Sequence, residues 1–169
     1  TRFRNVTGVQ TCALPIYPTV LALEQRAASL LGQEEAVFLP TATMANQIAL
    51  AILGHRGTEL LVEETAHIMV GELGGAAMHS GLQTRGLPGR RGCLSADELR
   101  AAVRAPDRFH VPAVSVVAVE NTHNHAGGTV WPLDALQAVA VVAHELGLAA
   151  HLDGARLANA AVALGLPAA

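Results

Sequence analysis

"AVSVVAVEN" at residues 113–121, "PLDALQAVAVVAHELG" at 132–147 and "LAAHLDGAR" at 148–156 together decide how this chain folds. The first is a short apolar run rich in β-branched residues and reads as a buried strand. The second repeats its apolar residues at helical spacing and stops at Gly147. The third is a strand that ends at Asp153 in a glycine turn. A strand, a helix and a second strand in that order imply a parallel pair joined by a crossover helix.

The same alternation continues outward. "PTVLALEQRAASLLG" (18–32) predicts a helix with a glycine stop, and "EAVFLP" (35–40) a short buried strand. "TATMANQIALAILG" (41–54) opens with hydroxyl residues suited to capping and runs on as an apolar helix. "TELLVEE" (58–64) predicts a strand, "TAHIMVGELGG" (65–75) a loop or short helix, and "GLQTRGLPGRRG" (81–92) a strand and then a Gly/Pro loop. "SADELRAAVRAP" (95–106) is an amphipathic helix in which Ser95 and Glu98 form a capping box. "LANAAVALG" (157–165) is the last helix. The whole reads as α/β, a mainly parallel sheet covered on both faces in three layers.

Composition sets outer bounds. The chain has 169 residues, of which 51% are hydrophobic and 15% charged, with a formal net charge of −3. These values suit a soluble globular protein with one sizeable core. Mild acidity argues against a nucleic-acid partner, and no apolar run reaches the ~18 residues of a membrane span. Two cysteines, Cys12 and Cys93, give neither a disulfide framework nor a zinc spacing. A cytoplasmic setting is expected. All eleven basic residues are arginines; the chain has no lysine.

Three stretches carry candidate chemistry. In "PTATMANQ" (40–47) the amides of Ala42 and Thr43, with the Thr43 hydroxyl, could hold a phosphate at a helix N-terminus; an ordinary cap is the plainer reading. In "HLDGAR" (151–156) an aspartate closes an apolar strand, where α/β proteins place ligands, although strand-end aspartates also serve as caps. In "VENTHNHAGGT" (119–129) His123 and His125 share a face if the strand continues. Two histidines without a further placed ligand make a weak metal site, so a polar active-site loop is expected and no metal.

In combination, "PTATMAN", "ETAHI", "ENTHNHAGGT" and "HLDGARLANAA" closely resemble the low-specificity threonine aldolases. These are β-eliminating lyases among the pyridoxal-phosphate enzymes of aspartate-aminotransferase-like fold. The resemblance runs from Tyr17 to the C-terminus. It implies pyridoxal phosphate as cofactor and cleavage of L-threonine or L-allo-threonine to glycine and acetaldehyde. By the same resemblance Asp153 keeps the pyridine nitrogen protonated, and His67 stacks on the cofactor ring. Ala42 and Thr43 hold the phosphate. His123 is a catalytic residue on the substrate side near the β-hydroxyl, acting as the base or orienting a water, and Arg156 helps fix the substrate carboxylate. His151 is expected to be structural, and His55, His79, His110 and His144 to lie on the surface. The partner implied is a small amino-acid substrate, and the parent protein is expected to be a homo-oligomer, a dimer or tetramer. Another lyase of the same cofactor class, acting by β-elimination, and a non-catalytic binding module are the alternatives.

Two departures from the family pattern stand out. Ala42 occupies a position where the family's phosphate motif usually has glycine. The Schiff-base lysine, which the resemblance places on a strand beyond "HLDGAR", is missing from the sequence, so the chain is expected to be an incomplete, inactive catalytic domain (residues 17–169). Residues 6–16, "VTGVQTCALPI", can be back-translated to a sequencing-library adapter read in frame. They are expected to form, with residues 1–5, a non-native leader in which Cys12 has no role. An incomplete sheet should leave "AVSVVAVE" and "ALQAVAVVAHELG" least protected and the chain prone to association.

Overall fold

The computed structural model describes residues 17–103 and 110–168. The leader and the last residues of "SADELRAAVRAP" therefore lie outside the described residues. Two compact units result, one reaching Phe38 and the other spanning Leu39–Pro167.

The first unit is built on α1 (Pro18–Leu30). Proline begins it, where a missing N–H costs nothing. Gly32 ends it at φ 61°, and the Gln33 amide turns back to the Ala28 carbonyl at 2.9 Å. That is a Schellman stop, as the glycine predicts. The strand expected at 35–40 does not form. Val37 and Phe38 are 75% and 52% exposed, and the Phe38 amide is satisfied by the Glu24 carboxylate rather than by a neighbouring strand. An apolar run becomes a strand only where a second strand takes up its backbone groups.

The second unit alternates as expected. It runs α2 (Ala42–Leu53), β1 (Glu59–Glu63), α3 (His67–Val70), α4 (Gly75–Ser80), β2 (Gln83–Leu87), α5 (Ala96–Ala102), β3 (Val114–Glu120), α6 (Leu133–Glu145), β4 (Ala149–Asp153) and α7 (Leu157–Leu164). The strands form one parallel sheet in the order β2-β1-β3-β4. Thr41 caps α2 through the Met44 amide, and Ser95 with Glu98 forms the capping box of α5. The helix α4 was not legible as such; it is short and bounded by Gly74 and Gly81, both left-handed.

Strand alternation splits the core in two. Leu60, Val62, Val116 and Ala118 point to one face and pack with Leu50, Ile68, Ala76 and Leu82. Leu61 and Val117 point to the other and pack with Leu99, Trp131, Val139, Val142 and Ala143. Truncating a fully buried leucine such as Leu60 or Leu61 to alanine typically costs about 2–5 kcal/mol, so both faces matter. This arrangement corrects the expectation that residues 113–120 and 135–147 are the least protected. β3 is an inner strand with five of its seven residues buried, and α6 buries Val139, Val142 and Ala143. Among the described residues the outer strands are β2 and β4.

Because the strands are parallel, their carboxyl ends share one edge. Three adjacent strands finish there in an acid: Glu63 on β1, Glu120 on β3 and Asp153 on β4. Glu120 and Asp153 are paired in register. All three are at least 95% buried.

Candidate active site

Asp153 is reached from α2. Its Oδ2 accepts a hydrogen bond from Asn46 Nδ2 at 2.9 Å, and its Oδ1 accepts the Ala155 amide at 3.2 Å. Asn46 Nδ2 also donates to Glu72 Oε1 at 2.8 Å, and Asn46 Oδ1 faces His151 Nε2 at 2.9 Å. Two acceptors for its two N–H groups and one donor for its oxygen leave the amide a single orientation. His151 and Asp153 both reach Asn46 because residues two apart on a strand share a face.

His67, at the start of α3, joins this network. Its Nδ1 lies 3.1 Å from Glu72 Oε1, its side chain is 38% exposed, and its backbone amide donates to Glu120 Oε2 at 2.8 Å. Gln47 Nε2 donates to the other Glu72 oxygen. One nitrogen or oxygen each from His67, Glu72 and Asp153 lies within 4.8 Å of the others. The donor types suit a cation, yet Asn46, Gln47 and Ala155 already donate to these carboxylate oxygens.

His123 lies next along the edge, its Nε2 3.8 Å from the Glu120 oxygen that accepts the His67 amide. It is fully buried, with Nε2 at 2.9 Å from Glu63 Oε2 and the Ala126 amide 3.3 Å from Nδ1. With Nδ1 accepting, Nε2 carries the hydrogen that Glu63 receives. Glu63 Oε2 also accepts the Thr65 amide and hydroxyl. Glu120 accepts the Asn124 amide, so the loop after β3 is tied down at both His123 and Glu120. The structure thus brings together His67 and Asp153 through Glu72 and Asn46, and His123 stands next to them across Glu120; its two ring nitrogens are engaged by Glu63 and by the Ala126 amide. His123 and His125 do not share a strand face, because β3 ends at Glu120 and His125 sits in an exposed turn.

Gly92 shows how tightly the ring is enclosed. A Cβ there would collide with the His123 ring, and its φ of +82° strains any side chain. Gly92→Ala is expected to destabilise the fold by about 2–5 kcal/mol, from left-handed strain plus overpacking. A urea midpoint within a few tenths of a molar of the parent's would contradict it.

The remaining candidates are placed simply. Ala42 is the first residue of α2 and is not among the positive-φ residues, so alanine fits where glycine was expected. Thr43 follows in the same first turn, whose amides precede the helical ladder. Arg156 is exposed at the start of α7, without an ion-pair partner among the described residues. His55, His79, His110 and His144 are all exposed. Asn46, Gln47, Glu63, Glu72 and Glu120 were missed. For four of them the signal was present: Asn46 and Gln47 are polar residues in an apolar helix, and Glu63 and Glu120 close apolar strands, whereas Glu72 sits in the turn between α3 and α4 with no such mark.

Burial pushes the His151 imidazole below its ordinary 6.5, while Asp153 and Glu72 pull partly the other way. A depressed folded value means the unfolded chain takes the proton first. Stability from this group is therefore full above about pH 6.5 and is lost as pH falls through the folded value. His151→Gln, which keeps a donor for Asn46, is expected to flatten the fall in urea midpoint between pH 7.5 and 5.5. An unchanged slope would exclude this source.

Comparison with known proteins bears on the family and the fold. The chain is 40% identical over 149 residues to the low specificity L-threonine aldolase of Escherichia coli (strain K12), covering 88% of this chain and 44% of that protein. It is 34% identical over 154 residues to low-specificity L-threonine aldolase 1 of Arabidopsis thaliana, covering 89% and 43%. The chain thus spans less than half the length of these relatives. The fold is that of the threonine aldolase structure from Leishmania major, with a TM-score of 0.69 and 24% identity over 86% of this chain and 48% of that one. No helix among the described residues is long and apolar enough to cross a membrane. With the β-eliminating lyase family model matching residues 14–169, the chain belongs to that family.

Proposed function

We propose that the whole protein is a pyridoxal-phosphate-dependent threonine aldolase, cleaving L-threonine or L-allo-threonine to glycine and acetaldehyde, and that this chain carries part of its cofactor site. The observation that carries the reading is Asn46. It stands one helical turn, about 5.4 Å, after Ala42 and hydrogen-bonds the buried Asp153 carboxylate. An anion-binding helix start and a buried acid at a strand end are thereby held a fixed distance apart. This suits a cofactor with a phosphate at one end and a basic ring nitrogen at the other.

Pyridoxal phosphate, when bound, supplies an electron sink for the bond broken at Cα. The chain's own residues do the rest. Ala42 and Thr43 offer amides and a hydroxyl to the phosphate. Asp153 holds a proton on the ring nitrogen, with Asn46 keeping its carboxylate turned inward. His67, partly exposed, covers the ring. Arg156 offers a planar fork to the substrate carboxylate. His123 holds the 121–129 loop at the edge where the substrate's β-hydroxyl is expected. The lysine that would hold the cofactor covalently belongs to the part of the whole protein that this chain does not span.

The test is direct. The whole protein, purified with pyridoxal phosphate, should release acetaldehyde from L-threonine or L-allo-threonine faster than it releases pyruvate from serine or cysteine. Pyruvate as the main product would favour the β-elimination alternative.

A further inference from the structure

Glu72 lies outside every motif singled out in the sequence, yet it is the best-connected acid of the site. Its side chain is fully buried. It accepts from Asn46 Nδ2 at 2.8 Å and Gln47 Nε2 at 2.5 Å, and its Oε1 stands 3.1 Å from His67 Nδ1. A carboxylate is an acceptor only, so the hydrogen between them sits on His67 Nδ1. In its neutral form the imidazole then presents Nε2 as a bare lone pair. The ring packs against Gly71, where any side chain would collide with its Cδ2 and Nε2.

We propose that Glu72 is a positioning residue of this site: it fixes the His67 ring in the Nδ1–H form, so that Nε2 is the acceptor offered to cofactor and substrate, and it shares Asn46 with Asp153. A free histidine side chain in water favours hydrogen on Nε2. The carboxylate reverses that preference by a charge-assisted hydrogen bond in a buried setting. Asn46 then couples the two halves of the site. Its amide spans Glu72 and Asp153, so the histidine and the ring-nitrogen acid are held by one rigid group. Gln47 completes the frame. Its Oε1 is buried and has no partner among the described residues, so the Gln47 amide is set there by its Nε2 bond to Glu72.

This inference rests on the cofactor-site reading, but its experiment is separable from it. The whole protein would be labelled with ¹⁵N-histidine and the tautomer of His67 read from two- and three-bond ¹H–¹⁵N correlations near pH 8, with and without pyridoxal phosphate. The parent should show a protonated Nδ1 and a bare Nε2. Glu72→Leu, with no acceptor, should shift the ring to the Nε2–H form and lower kcat for threonine on the order of a hundredfold. Glu72→Gln should restore the parent tautomer and most of the rate, because its side-chain oxygen can still accept and the Gln47 amide can flip to receive its N–H. An Nε2–H ring in the parent overturns the proposal, whether or not the leucine variant folds. So does an unchanged tautomer in a folded Glu72→Leu protein. If the tautomers behave as stated but threonine is not cleaved, the aldolase reading fails and the role of Glu72 stands.

Discussion

Asp153→Ala in the whole protein is expected to lower threonine cleavage by at least about a hundredfold, the scale on which a single preorganised electrostatic partner acts. The acid is buried at the carboxyl end of β4 and is held from two sides, by Asn46 and by the Ala155 amide. The nearby Glu72 carboxylate is taken up by Asn46, Gln47 and His67, and His151 is directed at Asn46 and pushed toward its neutral form. Loss of the carboxylate also strands one Asn46 N–H, worth about 1–3 kcal/mol of stability. Asp153→Asn separates the two effects. It keeps an oxygen for Asn46 but none for the Ala155 amide, so it should restore much of the melting temperature without restoring the rate. Equal rates for the asparagine variant and the parent would remove Asp153 from the mechanism.

The second large effect concerns the 169-residue chain on its own. With pyridoxal phosphate and L-threonine it is expected to give acetaldehyde no faster than the free cofactor does. The chain contains no lysine, and no other side chain supplies an amine that can hold the cofactor covalently and release it to substrate. Arginine is no substitute, being protonated at any working pH. Acetaldehyde formation many-fold above the free cofactor, measured with alcohol dehydrogenase and NADH, would show that covalent anchoring is dispensable here.

How much of this was written legibly in the sequence depends on what each residue touches. Helices with local punctuation were readable, since Gly32, Thr41 and the Ser95–Glu98 box act within a few residues of themselves. The buried strands β1 and β3 were readable because an apolar run between breakers has few other uses. Residues 35–40 misled because apolarity does not reveal whether a neighbouring strand exists. At the site, Asp153 and His67 stood in recognisable motifs. Glu72 did not, because its role depends on Asn46 and Gln47, 26 and 25 residues away in the chain. His123 was recognisable as a residue, while its enclosure by Glu63 and Gly92 depends on contacts no local pattern carries.

The strand order has a consequence for how the molecule is made. In the order β2-β1-β3-β4 the first of the described strands to leave the ribosome lies inside the sheet. β1 has all five residues buried, and one of its two neighbours, β3, is separated from it by the whole of α3, α4, β2 and α5. Parallel pairing offers no hairpin to hold such a strand while it waits, and non-local pairing of this kind is slow. "ELLVE" must therefore spend part of synthesis as an unpaired apolar strand, with Glu59 and Glu63 as the charges at its two ends that oppose self-association. Those two acids guard the nascent chain before either reaches its place in the finished sheet, so neutralising them should lower soluble yield more than equilibrium stability accounts for.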